Sequence, residues 1–410
     1  MQKFEKHSPV VVTEVTTKHE LRQFMQYPNR LYADNPNYIP SFYGDDLSDW
    51  TPGKNPAFDY CEARCWLAWR DGEIVGRIGA ILSHKANDKF GTHRMRFSQV
   101  DFVDDSEVSA ALFGTVERWA RQKGCDQVHG PLGFTDMDRE GMLVEGFDRR
   151  SLFITNYNAP YYPEHLTRLG YRKDVDWIEY RISVPAPGSA EAERLHKLSE
   201  FILKRKHLHV ATLHHKSEYG PFVRQVFELV NAAYAPLYGV VELSDEQIER
   251  YANKFIPLVD PDFVCFVLDE QDKLVAFGVT TLDPSPALKH SDGRLFPFGW
   301  AEVLNDLHHG DTLIMLLTAV RPDLQTEGIN AVMMDHVCQS CNRHGVQFAE
   351  TGPMLELNDH ILAQWKRLEK EQHKRRRCFI KDLDHGINAA NAAAAAQAEA
   401  PEAAPAAESA

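Results

Sequence analysis

Apolar residues recur along this chain with two periods, and its elements follow from them. Residues 10–15 predict a strand and residues 18–27 a short helix. The run Cys65-Trp66-Leu67-Ala68-Trp69-Arg70, the pair Asp71-Gly72 and a second apolar run to Leu82 predict a hairpin, because Asp-Gly supplies the positive φ angles of its turn. Residues 94–103 predict a further strand. Leu112, Val116, Trp119 and Ala120 share one face of a helix over 109–123, which Gly124 ends. A short strand at 127–131, a helix ending at Leu169-Gly170-Tyr171 and a strand at 178–184 complete this half. Pro185-Ala186-Pro187-Gly188-Ser189 is a linker by composition.

The order then repeats. A helix at 191–206 joins the halves, and a strand at 210–213 and helices at 221–234 and 245–256 follow. A second hairpin spans 264–268 and 273–282 around Asp269-Glu270-Gln271-Asp272. Residues 284–311, with several Pro, Gly and His, read as an insertion. The run Leu313-Ile314-Met315-Leu316-Leu317-Thr318-Ala319-Val320 reads as a buried strand, and Ile329, Val332, Met333, Val337 and Cys341 recur behind it at helical spacing. A strand at 347–351, a helix at 357–368 and a basic strand at 375–380 close the pattern. Lys374-Arg375-Arg376-Arg377 reads as a solvated edge, since basic side chains protect edges from pairing, or as a contact for a phosphate or an acidic partner.

Each half thus gives hairpin, strand, helix closed by glycine (Gly124; Gly345), strand ending in Gly-Pro (Gly130-Pro131; Gly352-Pro353), helix and strand. Unrelated domains seldom coincide in this way, so the halves read as a duplication. The expected units are 1–185 and 190–385, with a disordered Ala-rich tail at 386–410 that cannot bury a core. The chain's 410 residues suit two domains.

Composition narrows the partners. A net charge of −14 argues against nucleic acid or an anionic membrane surface. No apolar run reaches the roughly 18 residues of a membrane helix, and the amino terminus lacks a signal-peptide core. Seven cysteines, an odd number, read as reduced thiols, so a soluble cytoplasmic protein of unknown oligomeric state is expected. His336, Cys338, Cys341 and His344 share one predicted helix with no second ligand pair at suitable spacing, so no metal is assigned.

The candidate chemistry centres on Gln325-Thr326-Glu327-Gly328-Ile329-Asn330, between the strand that ends at Val320 and the helix behind it. Such a junction points backbone N–H groups outward at a positive helix end, which suits a phosphate. The segment resembles the acyl-CoA loop of the GNAT acyltransferases, Arg/Gln-x-x-Gly-x-Gly/Ala: Gln325 and Gly328 fit, and Asn330 departs from the pattern. The element order resembles the GNAT order twice over. The run Gly133-Phe134-Thr135-Asp136-Met137-Asp138-Arg139-Glu140-Gly141, within 130–148, together with 156–163 resembles a family of bacterial GNAT-like N-acetyltransferases. Some related bacterial proteins are linked to acylation of sphingoid long-chain bases.

The resemblance implies an α/β fold of two tandem GNAT-like domains, each a mixed, mostly antiparallel sheet flanked by helices. It implies acetyl-CoA or a longer acyl-CoA as donor, bound by Val320, Gln325, Thr326, Glu327, Gly328, Ile329 and Asn330 in the second half, with Asn358 on the pantetheine arm or simply capping its helix. The first half has Asp104-Asp105-Ser106-Glu107-Val108 at the corresponding place, where carboxylates repel a pyrophosphate. The usual GNAT tyrosine acid is replaced by Leu166 and Trp365. Glu350, at a strand end beside the loop, is a candidate base or a salt-bridge partner. Asp136, Asp138, Glu140, Glu145 and Asp148 form an acidic segment able to receive a cationic amine or a hard metal ion, though not at calcium-loop spacing, or a solvated loop. Tyr157 and Tyr161 line the same cleft in this reading, with Tyr162 as candidate catalytic group; the alternative is packing of a proline-rich turn. The expected activity is transfer of an acyl group from CoA to a small-molecule or lipid amine. The alternatives are a catalytically silent scaffold and long-chain transfer to a sphingoid-type amine.

Overall fold

A computed structural model describes residues 8–383, so the tail expected at 386–410 lies outside the described residues. The first half opens with β1 (Val11–Glu14), α1 (Lys18–Leu31), α2 (Tyr43–Asp49), β2 (Cys61–Arg70), β3 (Glu73–Ser83) and α3 (His84–Phe90). It continues with β4 (Arg94–Phe102), α4 (Ser106–Gln122), β5 (Gln127–Gly130), β6 (Met142–Glu145), α5 (Tyr162–Arg168) and β7 (Arg172–Ser183). After α6 (Ala190–Lys206) come β8 (His209–Val210), α7 (Gly220–Tyr234), α8 (Asp245–Phe255), β9 (Val264–Leu268) and β10 (Leu274–Leu282). The expected insertion carries α9 (Ser285–His290) and α10 (Gly299–His309), which pack on Ile39, Phe42 and Phe153 of the first half. The second half ends with β11 (Thr312–Val320), α11 (Asn330–His344), β12 (Phe348–Thr351), β13 (Met354–Leu355), α12 (Asp359–Ala363) and β14 (Lys370–Asp382). No helix among the described residues is long and apolar enough to cross a membrane.

The strands form one sheet in the order β1-β2-β3-β4-β5-β14-β7-β12-β11-β10-β9-β8, with β6 on β14 and β13 on β7. Every pairing among the described residues is antiparallel except β4–β5 and β11–β12. Helix α4 covers β3 and β4, burying Leu112, Phe113 and Val116 against Phe97 and Phe102. Helices α6 and α11 cover the second half from one side, where Ile202, Val332 and Met333 bury against Val267 and Val275, and α7 and α8 cover it from the other.

The two halves exchange their last strands. β14 inserts between β5 and β7, and β7 lies against β12, so each half's sheet is completed by the other half. β14 follows β7 from Lys370↔Ile182 to Ile380↔Arg172. This corrects the edge-strand reading of the basic run. Arg376 Nε lies 2.5 Å from Glu179 Oε1, with both side chains 0% exposed. Lys374, at 1% exposure, reaches Glu350 at 3.2 Å, and Arg375 and Arg377 both bind Asp176. Charge that looks solvated in the sequence is neutralised by carboxylates on neighbouring strands, the only arrangement in which a buried cation is tolerated. The helix expected at 357–368 is also shorter: α12 gives way to a 3-10 turn at Gln364–Arg367.

Candidate functional site

β11 and β12 run parallel only from Thr312↔Phe348 to Met315↔Thr351. Beyond that point β11 continues to Val320 while the chain turns at Gly352-Pro353 and β13 leaves to pair with β7 at Ile178 and Trp177. Against β10, the register passes from Val279↔Leu317 to Thr280↔Met315, so Leu316 is the extra residue of a bulge. The parted strands open a cavity of about 270 Å³ through the sheet. Leu316, Leu317 and Thr318 line one wall, Met354, Leu355 and Trp365 another, and Met333, Met334 and Leu195 the side under α6 and α11. The lining is mostly apolar, and beyond Met315 no strand pairs with this edge of β11 among the described residues.

The amino terminus of α11 adjoins this cavity, since Asn330 lines it. That terminus carries no side-chain cap; the N–H groups of Ala331 and Val332 are taken by the Gly328 and Ile329 carbonyls at 2.9 Å, and those of Gly328, Ile329 and Asn330 have no hydrogen-bond partner among the described residues. Gly328 sits at φ +82°, a left-handed conformation that favours glycine, and a Cβ there would lie 3.1 Å from Ile202 Cδ1. Gln325 and Thr326 are exposed, Ile329 is buried under the loop, and Gln325 Nε2 donates to Val320 O at 3.3 Å. The carboxylate of Glu327 is drawn aside by Lys206 Nζ at 2.6 Å and Arg205 at 3.4 Å. These features suit an anion such as a pyrophosphate: the one acid of the 325–330 turn is paired, and Gly328 adds no side chain to it. Asn358 lines the cavity and also caps α12, accepting from Ile361 N at 3.2 Å.

Asp136 and Glu140, from the first half, reach the wall opposite α11 beside Tyr234 and Tyr238. Neither carboxylate has an ion-pair or side-chain partner among the described residues. Burial pushes Asp136 up to about 6 and, together with the Asp136 charge, holds Glu140 well above an ordinary glutamate. The rest of the acidic segment goes elsewhere. Asp138 Oδ2 accepts from Phe134 N at 2.8 Å and Thr135 N at 3.2 Å, which closes its own loop. Glu145 is exposed and pairs with Arg375.

The corresponding gap in the first half is closed. β4 and β5 pair only from Arg94↔Gln127 to Arg96↔His129, after which β4 runs on to Phe102. Tyr162 fills the space: its ring stacks on Phe102 at 4.2 Å, its hydroxyl accepts from Phe102 N at 2.7 Å, and it shares a 2.7 Å bond with Tyr32. Tyr161 donates to Phe102 O at 2.5 Å, and Tyr157 accepts from Asn35 at 2.8 Å. About 30 Å³ remains nearby, lined by Val100, Pro131 and Asn158. Asp105 caps α4 through the N–H groups of Glu107 and Val108, occupying the place a phosphate would take.

The structure therefore brings Asn330, Asn358, Asp136 and Glu140 together around one cavity, with the Gln325–Gly328 turn just before Asn330, and places the three tyrosines in the first half's interior. Glu350 lies on β12 between Ala349 and Thr351, which line the cavity; strand alternation sends its side chain to the other face, beside Lys374 and His373. Sequence reading did not single out Tyr234, whose hydroxyl donates to Thr318 O at 2.8 Å, or Tyr238. Nothing local marks either, since each acquires its role only when α7 packs over the parted strands.

A mixed sheet, duplicated with a parallel pair parting in each half, defines the tandem GNAT-like fold, and this chain has it. No protein-family model matches the chain. It superposes over 92% of its length on 99% of a tandem GNAT protein from the clavulanic acid biosynthesis pathway, with TM-score 0.52 and 13% identity. In sequence it is 27% identical over 383 residues to Protein YghO of Escherichia coli (strain K12), covering 91% of this chain and 95% of that one. It is 28% identical over 299 residues to the bacterial ceramide synthase of Caulobacter vibrioides, covering 72% of this chain and 75% of that one.

Proposed function

We propose that the chain is an acyl-CoA-dependent N-acyltransferase, with the donor in the second half's cleft and the amine received by acids of the first. The observation that carries this reading is the mostly apolar cavity at the β11–β12 gap, bounded at one end by a helix terminus without a side-chain cap and at the other by two carboxylates that have no side-chain partner among the described residues. The GNAT-like fold and the ceramide synthase relative support acyl transfer as the reaction class. The pyrophosphate lies on Gln325 to Asn330, the pantetheine arm along the open edge of β11 near Asn358, and the thioester beside the Leu316 bulge. Backbone N–H groups there polarise its carbonyl at no reorganisation cost. Asp136 holds the ammonium group. Glu140, whose burial makes it a stronger base than a solvated glutamate, takes its proton, and the freed amine attacks the thioester carbon.

A second reading concerns chain length. Met315, Met333, Met334, Met354, Leu355 and Leu368 give the cavity a long apolar lining, and one relative is named a ceramide synthase. Both favour a long acyl group and a lipid amine over acetyl transfer to a small polar amine. The test is calorimetric titration with acetyl-CoA and palmitoyl-CoA on the wild-type chain and on Gly328→Glu, which sets a carboxylate in the phosphate turn. The expected result is tight palmitoyl-CoA binding that Gly328→Glu abolishes while circular dichroism stays unchanged. Equal binding by the folded variant refutes the loop, and no binding of either thioester by the wild type leaves a silent scaffold.

A further inference from the structure

Tyr238, in the loop after α7, forms part of the cavity wall and extends into the seam where the halves exchange strands. Its ring lies edge-on to Trp177, with centroids 6.2 Å apart. Its hydroxyl donates to Asp174 Oδ2 on β7 at 2.5 Å, lies 2.9 Å from His129 Nδ1 on β5, and stands 3.6 Å from Cys378 Sγ on β14. Four elements from both halves converge on one oxygen atom.

His129, Asp174 and Cys378 also have the spacing of a metal site. Two facts decide against an ion. The Tyr238 hydroxyl already lies within hydrogen-bond distance of two of the three donor atoms and close to the third, where an ion would sit. Arg94 Nη1 lies 3.8 Å from Asp174 Oδ2, and Arg96 also acts on His129, so the local field opposes a cation. The cluster is a hydrogen-bonded chain instead. Burial lowers His129 to about 4, so its imidazole is neutral and donates Nδ1–H to the Tyr238 oxygen. Burial pushes Asp174 up, but the hydrogen bond from Tyr238 and the neighbouring Arg94 guanidinium help keep the carboxyl below its ordinary value. The Asp174 side chain is 20% exposed. The chain therefore leads from the cavity wall to solvent. Glu140 lines the same cavity, and its charge acts on the Cys378 thiol of the cluster.

Such a path answers a requirement of the proposed reaction. An ammonium and a thioester give an amide, a CoA thiol and one surplus proton, which must leave Glu140 before the next turnover. We propose that Tyr238 and Asp174 form the outlet for that proton. The Tyr238 oxygen accepts a proton from the cavity side as its own hydrogen passes to Asp174, which releases it to water; rotation of the hydroxyl restores the starting state. No phenolate forms. This inference rests on the acyl transfer proposed above, in which Tyr238 moves a proton and Asp174 acts through it.

The test uses the full-length chain with palmitoyl-CoA and a long-chain primary amine, reading amide formation and thiol release. Tyr238→Phe keeps the ring against Trp177 and removes the hydroxyl. The expected result is a kcat roughly 10–100-fold lower with KM for palmitoyl-CoA unchanged. Asp174→Asn gives a similar loss, and the double variant loses no more than either alone, as two members of one path should. Wild-type kcat in a folded Tyr238→Phe overturns the inference, as do losses that multiply in the double variant. A wild-type chain that makes no amide with any amine overturns the acyltransfer reading itself, which separates the two failures.

Discussion

Asp136→Asn should stabilise the protein while damaging its activity. The side chain faces the cavity without an ion-pair partner, and burial raises its carboxyl from an ordinary 3.8 to about 6. The difference, 6 − 3.8 = 2.2, corresponds to about 3 kcal/mol at about 1.4 kcal/mol for each pH unit. Because the side chain is only partly buried, about 2 kcal/mol is the reasonable expectation. The sign follows from proton linkage. A carboxyl that is harder to ionise folded than unfolded supports the fold below about pH 4 and loses that support as pH rises through about 6. Asparagine keeps the shape and removes the charge, so the variant's advantage should be about 2 kcal/mol at pH 7.5 and vanish near pH 4. Urea unfolding of both proteins at several pH values measures this. Equal stability at every pH would refute the claim that an uncompensated carboxylate faces this cavity. A more stable Asp136→Asn that has lost activity puts function and stability in conflict at this residue, as expected where a charge is kept in an apolar site for chemistry.

Glu140→Gln should lower kcat by roughly 100-fold or more while leaving acyl-CoA affinity intact, and should remove the acid limb of the pH–rate profile; steady-state kinetics between pH 5 and 9 read both effects. Arg376→Met should cost about 3–5 kcal/mol, because it strands Glu179 as a buried carboxylate whose remaining cation, Lys374, lies 3.6 Å away. Adding Glu179→Leu should recover part of that loss in thermal unfolding, which a merely volumetric effect would not do.

The fates of particular residues show what sequence reading reached. The turn at Gly328 and the helix that starts at Asn330 are legible because a strand–glycine–helix junction is a local pattern carried by consecutive residues. The duplication was found for the same reason, since hairpin, glycine-closed helix and Gly-Pro strand recur in order. Arg376 was misplaced as an edge cation because a strand's neighbours are set by distant pairings, and its partner Glu179 lies 197 residues away. Within the acidic segment, Asp136 and Asp138 look alike in sequence; one faces the cavity, and the other closes its own loop through backbone N–H groups.

The sequence by itself determined the element order, the repeat and the glycine turn between β11 and α11, because periodicity, turn chemistry and capping act over a few residues. The tertiary structure decided which half stays open, which acids reach the opening and how the halves share their last strands. Those outcomes depend on what fills a gap once everything else has packed. Tyr162 fills the first half's gap and hydrogen-bonds Phe102 across it, while the second half's gap keeps a cavity of about 270 Å³. Two copies of one pattern thus differ in the property that matters for a ligand, and that difference lies in the packing across the gap.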